Sequence, residues 1–343
     1  MSSVTFLGIL SELVPSGILP QMSEGLNVSY SSIGLLVSIY AIASAVGTIP
    51  LITLTMEMNR KKLLMILLII FGVSNAVIAI TSSYYIIAAA RLAGGVSAGI
   101  LWPMVSAYAM RLVPANQQGK AIAVTMAGST LGLGVGLPIM TTIGTEFGWR
   151  VTFGVLAAVI FIVAFLGQAS LPTVEGEKRT KTNSLLYIIR NKSVIICLIV
   201  TFLTIMAHYG LYTYISPLSE YFEIYGGIKI VSILFGIGTI VSVILAGKFV
   251  DEHLGALTAS MLILAFGALV TIFQTAVTRQ VETGKDVATS LQSSTFNFGI
   301  VFGSSLGGLI LANASVLYIV YTTIGLLIVP ILLSLFARKT FYK

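Results

Sequence analysis

Charge is what this 343-residue chain has least of. Asp, Glu, Lys and Arg make up 9% of it, against 57% hydrophobic residues, and the mean hydropathy is +1.01. Water-soluble domains carry about 25% charged residues. No water-facing fold hides this much apolar surface, so much of it must face lipid. Cysteine occurs once, as Cys197 inside an apolar run, which excludes an intrachain disulfide and fits a packing role. Histidine occurs twice, as His208 in a run and His253 in a loop, with no Cys/His cluster beside either, so no metal centre is expected. No basic stretch precedes the first run and no cleavage site comes after it, which speaks against a signal peptide. The G-x-x-x-x-G-K-[ST] phosphate loop and the H-E-x-x-H motif are missing, so neither direct use of ATP nor zinc hydrolysis is expected. The expectation is a protein that is no enzyme and needs no cofactor.

What is there is a series of eleven apolar runs of membrane-spanning length, near 4–22, 33–54, 63–81, 84–108, 121–144, 151–171, 194–217, 230–249, 254–278, 287–312 and 316–336. They are long and do not alternate apolar with polar residues, which argues for helices rather than strands. The net charge of +7 lies between the runs rather than on one polar face, so it reads as membrane topology and not as a nucleic-acid surface. Arg60, Lys61 and Lys62 come after the second run, Arg111 and Lys120 flank the loop after the fourth, and Lys178, Arg179, Lys181, Arg190 and Lys192 come after the sixth. The other early loops are nearly bare of bases, which predicts a cytoplasmic N-terminus. The polar stretch 172–193 reads as a cytoplasmic linker between an N-terminal six-helix bundle, 1–171, and a C-terminal bundle, 194–343.

The two halves carry an internal repeat. Setting Tyr40 against Phe235 gives an offset of 195 and places Met56 opposite Asp251. Gly99 to Arg111 matches Gly267 to Arg279 at 168, and AGSTLGLG (127–134) matches SSTFNFG (293–299) at 165. The offset falls by 27 to 30 residues between Asp251 and Gly267, so the second half is expected to lack one span near 252–266. Either the run 254–278 spans once and inverts the last two spans, or it is re-entrant.

Away from their ends, the runs contain only three side chains from the set Asp, Glu, Lys, Arg and His: Glu12, Arg91 and His208. Such groups are costly in hydrocarbon, and those that remain mark ion or substrate paths or buried pairs. Held out of water, Glu12 could carry a proton whose loss or gain biases a conformational equilibrium; the alternative is an ion pair or a carboxyl near the membrane surface. Arg91 could tune Glu12, or could fix helices by bonding backbone carbonyls. His208, Tyr209 and Tyr212 offer rings and hydrogen bonds to a flat polar ligand, or form an interfacial aromatic belt. Trp102, Gln292 and Asn297 are further lining candidates, though amides in spans also bond helix to helix. Gly128, Gly132 and Gly136 let helices approach closely, and Pro138 can bend its span.

Several segments taken together resemble the major facilitator superfamily, in the bacterial drug:proton antiporter branch of arabinose-efflux-like and purine-efflux-like permeases. They are ELVPSGILPQ (12–21), Arg91 with Gly95 and Gly99, GSTLGLGVGLP (128–138), GWRVTF (148–153), AHYGLYTYISPLSE (207–220) and STFNFGIVFGSSLGG (294–308). The resemblance implies an all-α integral membrane fold, the major facilitator fold, with two helical bundles related by a pseudo-two-fold axis and about eleven spans where the family has twelve. It implies export of a small organic solute (a drug, sugar or purine-like molecule) by proton antiport through alternating access, with Glu12 and Arg91 in proton coupling. It also links Gly132, Gly136 and Pro138 to antiport direction and gives Asp251 a gating role. In the first half that gating acid reads Met56, with Glu57 next to it. The implied partners are the solute, protons and the bilayer, with no nucleic acid, for a monomer in the inner or plasma membrane. The competing readings are a facilitator without proton coupling and a shortened relative that does not transport.

Overall fold

The structure is a computed structural model, which describes residues 1–225, 227–254 and 269–337. Within them it is all helical. Its elements are α1 (Ser2–Gly17), α2 (Leu19–Leu26), α3 (Tyr30–Thr55), α4 (Arg60–Ile80), α5 (Tyr84–Arg111), α6 (Gln118–Leu131), α7 (Leu137–Glu146), α8 (Trp149–Ser170), α9 (Leu185–Ile188), α10 (Lys192–Tyr212), α11 (Ile215–Tyr221), α12 (Gly227–Phe249), α13 (Leu269–Thr278), α14 (Lys285–Asn313) and α15 (Leu317–Phe336). Among the described residues eight helical segments are long and apolar enough to cross a membrane, and the bent pair α1–α2 would make a ninth. Residues 255–266 of the expected gap and most of the run 254–278 lie outside the described residues, as do Arg338, Lys339 and Lys343.

Prolines set the irregularities. The first run is not one straight helix: α1 and α2 meet at Ile18 with a bend of 66°. Pro20 has no N–H for the carbonyl of Ser16 and its ring crowds that turn, so the helix restarts there. The fifth run contains a π-helical turn at Gly132–Gly136, closed by Leu137 N–H onto the Gly132 carbonyl. Pro138 removes the donor that would have met Gly134, and the glycines accept the looser i→i+5 geometry.

The chain divides into two compact units, Met1–Leu112 with Val124–Thr180, and Val113–Ala123 with Lys181–Lys343. In the first, α4 turns Leu63, Leu67, Phe71, Asn75 and Ile78 inward, while Ile66, Ile69, Ile70 and Val73 on its other face are exposed. α8 buries Trp149, Phe153, Leu156 and Ile160 and exposes Val155, Ile162, Phe165 and Leu166. Helices apolar on both faces need lipid as the outer solvent. Lipid does not drive helices together, so they are held by close backbone approach. Gly99 of α5 lies against α3, where an added Cβ would meet the Ser44 carbonyl and stand 2.9 Å from the Thr48 hydroxyl. In the second unit Gly303 of α14 does the same against α10, with Gly210 N 3.0 Å from where its Cβ would be.

Candidate functional site

The polar centre of the first unit is built around Pro15. A proline at this position leaves the Ser11 carbonyl, four residues earlier, without its helical donor. Arg91 of α5, fully buried, supplies one: its guanidinium donates to the Ser11 carbonyl at 2.5 Å, to the Glu12 carbonyl at 3.2 Å and to the Leu36 carbonyl of α3 at 3.2 Å. It also lies 4.2 Å from the centre of the Tyr40 ring. Arg91 therefore ties α1 and α3 to α5. Ser11 donates through its hydroxyl to Asn75 of α4 at 3.1 Å, and Asn75 donates to its own Phe71 carbonyl at 2.8 Å.

Glu12 sits beside this knot, partly buried, with no cation within 4 Å of its carboxylate among the described residues. The structure thus brings Glu12 and Arg91 together, and the contact runs through the Glu12 backbone carbonyl. Trp102 packs on α1 over Gly8 and closes a small apolar cavity with Val4, Thr5, Leu101 and Val105. Gly132 and Gly136 pack on α1 as well: a Cβ at Gly132 would collide with Ile9, and one at Gly136 would stand 2.7 Å from the Phe6 ring. Pro138 opens α7.

In the second unit, His208 and Tyr212 sit one turn apart on α10 and stack, with ring centres 5.6 Å apart and planes 12° from parallel. Tyr209 meets His208 edge-on at 5.0 Å and Phe296 of α14 at 6.2 Å. His208 is buried, Tyr209 partly so and Tyr212 exposed. Gln292 is buried and exchanges hydrogen bonds with Thr201 of α10 at 3.0 and 3.2 Å, a helix-to-helix tie. Asn297, five residues further along α14, is partly buried. Asp251, after α12, accepts the N–H groups of Gly119 and Lys120 on its two oxygens at 2.7 and 2.8 Å, and its Oδ1 is 3.4 Å from Arg279. These N–H groups lie in the first turn of α6, where a negative charge complements the helix's positive end, which makes the carboxylate a helix cap.

Asn75 and Tyr40 do not stand out in the sequence, because neither is ionised and each is one polar residue in a long apolar run. The stretch Gly95–Gly99 spells G-x-S-x-G, the motif of a serine nucleophile, but lies inside α5 with Ser97 buried. The exposed strand-to-helix turn that makes such a serine a nucleophile is not there.

A sequence model of the Major Facilitator Superfamily matches residues 1–282. The chain is 26% identical over 350 aligned residues to a probable sugar efflux transporter of Mannheimia succiniciproducens, covering 94% of this chain and 88% of that one. Among solved structures it is similar to the E. coli fucose:proton symporter FucP, with TM-score 0.73 and 13% identity over 98% of this chain and 97% of that one. It is also similar to the human organic anion transporter MFSD10, with TM-score 0.70 and 17% identity over 97% and 98%. At such identities these structures establish the fold.

Proposed function

The chain belongs to the Major Facilitator Superfamily and is a multi-pass membrane transporter, and from that premise we propose that it exports a small, sugar-like solute in exchange for protons by alternating access. The observation that carries the coupling is Glu12. Its carboxylate lies in a helix expected to be within the membrane and has no cation in bonding range among the described residues, while the neighbouring arginine has three of its donors committed to backbone carbonyls. Such a carboxylate is a group that can take up and release a proton without breaking an ion pair. Arg91 modulates it by fixing α1 and by its field. The rings of His208, Tyr209 and Tyr212 supply the stacking surface that a sugar's apolar face would use, with Asn297 of the same unit as a further lining group. A sugar is the choice of solute because the Mannheimia relative is named a probable sugar efflux transporter.

The N-terminus is cytoplasmic in this reading, in the plasma membrane. In the first unit Arg60, Arg111 and Arg179 gather at one end, where the loops after α3, α5 and α8 meet, and basic ends face the cytoplasm. The bundles are 1–171 and 194–343, joined through 172–193. Asp251 is a gating group that holds the first turn of α6. The test is a panel of labelled sugars, nucleosides and drugs in proteoliposomes with an imposed pH gradient. Accumulation of a sugar that collapses with the gradient is expected. Transport that ignores the gradient would overturn the coupling, and selective transport of non-sugars would overturn the choice of solute.

A further inference from the structure

The repeat places Arg111 opposite Arg279 and Met56 opposite Asp251. In the second unit the acid and base of this pair meet: Asp251 and Arg279 are 3.4 Å apart. In the first unit the acid is missing, yet Arg111 is paired. Its guanidinium is 2.9 Å from the Glu177 carboxylate, and the contact is partly shielded from water. Glu177 comes from the segment after α8, which the sequence reads only as a linker.

That segment is laid along the end of the unit by a set of specific bonds. The Arg60 N–H donates to the Val174 carbonyl at 2.7 Å, and the Glu177 N–H donates to the Met56 carbonyl at 2.8 Å. Arg111 also donates to the Glu175 carbonyl at 3.1 Å, and Asn59 donates to the Glu175 carboxylate at 3.2 Å. The Arg179 N–H donates to the Glu57 carboxylate at 3.0 Å, and its guanidinium donates to the Leu54 carbonyl at 3.1 Å. Gly176 passes so close to Met56 and Glu57 that a Cβ there would strike their backbone. Glu57, the acid nearest to Met56 in sequence, is thus spent on the segment's backbone rather than on Arg111.

We infer that residues 172–180 form a clasp, and that Glu177 is the acid for Arg111 that the first repeat no longer carries at Met56. The connection after α8 is then a working part of the first unit: it closes the turn between α3 and α4 onto the end of α5. Its release breaks the Arg111–Glu177 pair, so any motion that separates these ends must first undo the clasp.

The test uses the full-length protein in detergent and needs no substrate. Trypsin cleavage after Lys178 and Arg179 is timed by mass spectrometry against cleavage after Arg190, and thermal unfolding is followed in parallel. Glu177→Gln is expected to speed the first two cleavages about fivefold relative to the third, the effect of losing a partly shielded ion pair of about 1 kcal/mol, and to lower the unfolding temperature. Adding Met56→Asp to Glu177→Gln is expected to restore the unfolding temperature, because the equivalent Asp251 reaches Arg279, while cleavage stays fast. Unchanged cleavage in Glu177→Gln would overturn the clasp. An unfolding temperature that Met56→Asp fails to restore would overturn the replacement of one acid by the other.

Discussion

Arg91→Lys separates the two jobs an arginine can do in a membrane helix, because it keeps the charge and loses the fork. Arg91 reaches the Ser11, Glu12 and Leu36 carbonyls from three different nitrogens; a lysine amine in the same space is a single point and meets one of them. Two bonds at about 0.6–1.7 kcal/mol each, with part of a buried cation–π contact of about 0.5–2 kcal/mol to Tyr40, give a loss of about 2–4 kcal/mol. That is roughly 30- to 700-fold in the unfolding equilibrium, read by steric trapping in bicelles. The Ser11 bond carries a sharper consequence. Pro15 is the reason that carbonyl needs a partner, and Pro15→Ala gives it back a helical N–H. In the Pro15→Ala background, Arg91→Lys should cost about 1 kcal/mol less than in the wild type. Strictly additive effects of the two substitutions would refute the claim that Arg91 satisfies the carbonyl that Pro15 orphans.

Gln292→Leu should lower stability by about 1–2 kcal/mol through loss of the Thr201 tie and leave the KM for the exported solute unchanged; a KM rise without a stability loss would make it a ligand contact instead. Tyr212→Ala, which removes the ring stacked on His208, should raise that KM about 3- to 10-fold, and Tyr212→Phe should restore it in transport assays. Asp251→Asn puts an amide donor opposite the N–H of Gly119 or Lys120, so hydrogen exchange at those two amides should speed about tenfold or more; unaltered exchange would mean the carboxylate caps nothing. Gly303→Val should destabilise by about 1–3 kcal/mol in thermal unfolding, because α10 and α14 cannot close over the added methyls.

The fold was legible because lipid leaves so few options. A run such as 63–81, apolar on every face, has to be a buried or lipid-facing helix, and α4 forms over Arg60–Ile80. The break at Ile18 was harder to see, since prolines in spans bend helices or leave them whole according to their neighbours. Glu12 and Arg91 stood out because charge in hydrocarbon is rare, and a tie from Arg91 to backbone carbonyls was one of the two readings the sequence left open. Pro15 marks the Ser11 carbonyl as short of a donor, but that Arg91 is the residue that reaches it depends on how three helices pack. The clasp was hidden for a similar reason: Glu175, Glu177 and Arg179 lie in a polar stretch whose composition is that of any solvated loop, and only the docked backbone tells it from one.

The central claim is that Glu12 is where the proton rides, and Glu12→Gln in proteoliposomes tests it most directly. The variant has a side chain of the same shape that cannot ionise, so solute exchange across the membrane without a gradient should continue at near the wild-type rate, while accumulation driven by a pH gradient should vanish. Accumulation that survives intact in Glu12→Gln would contradict the claim.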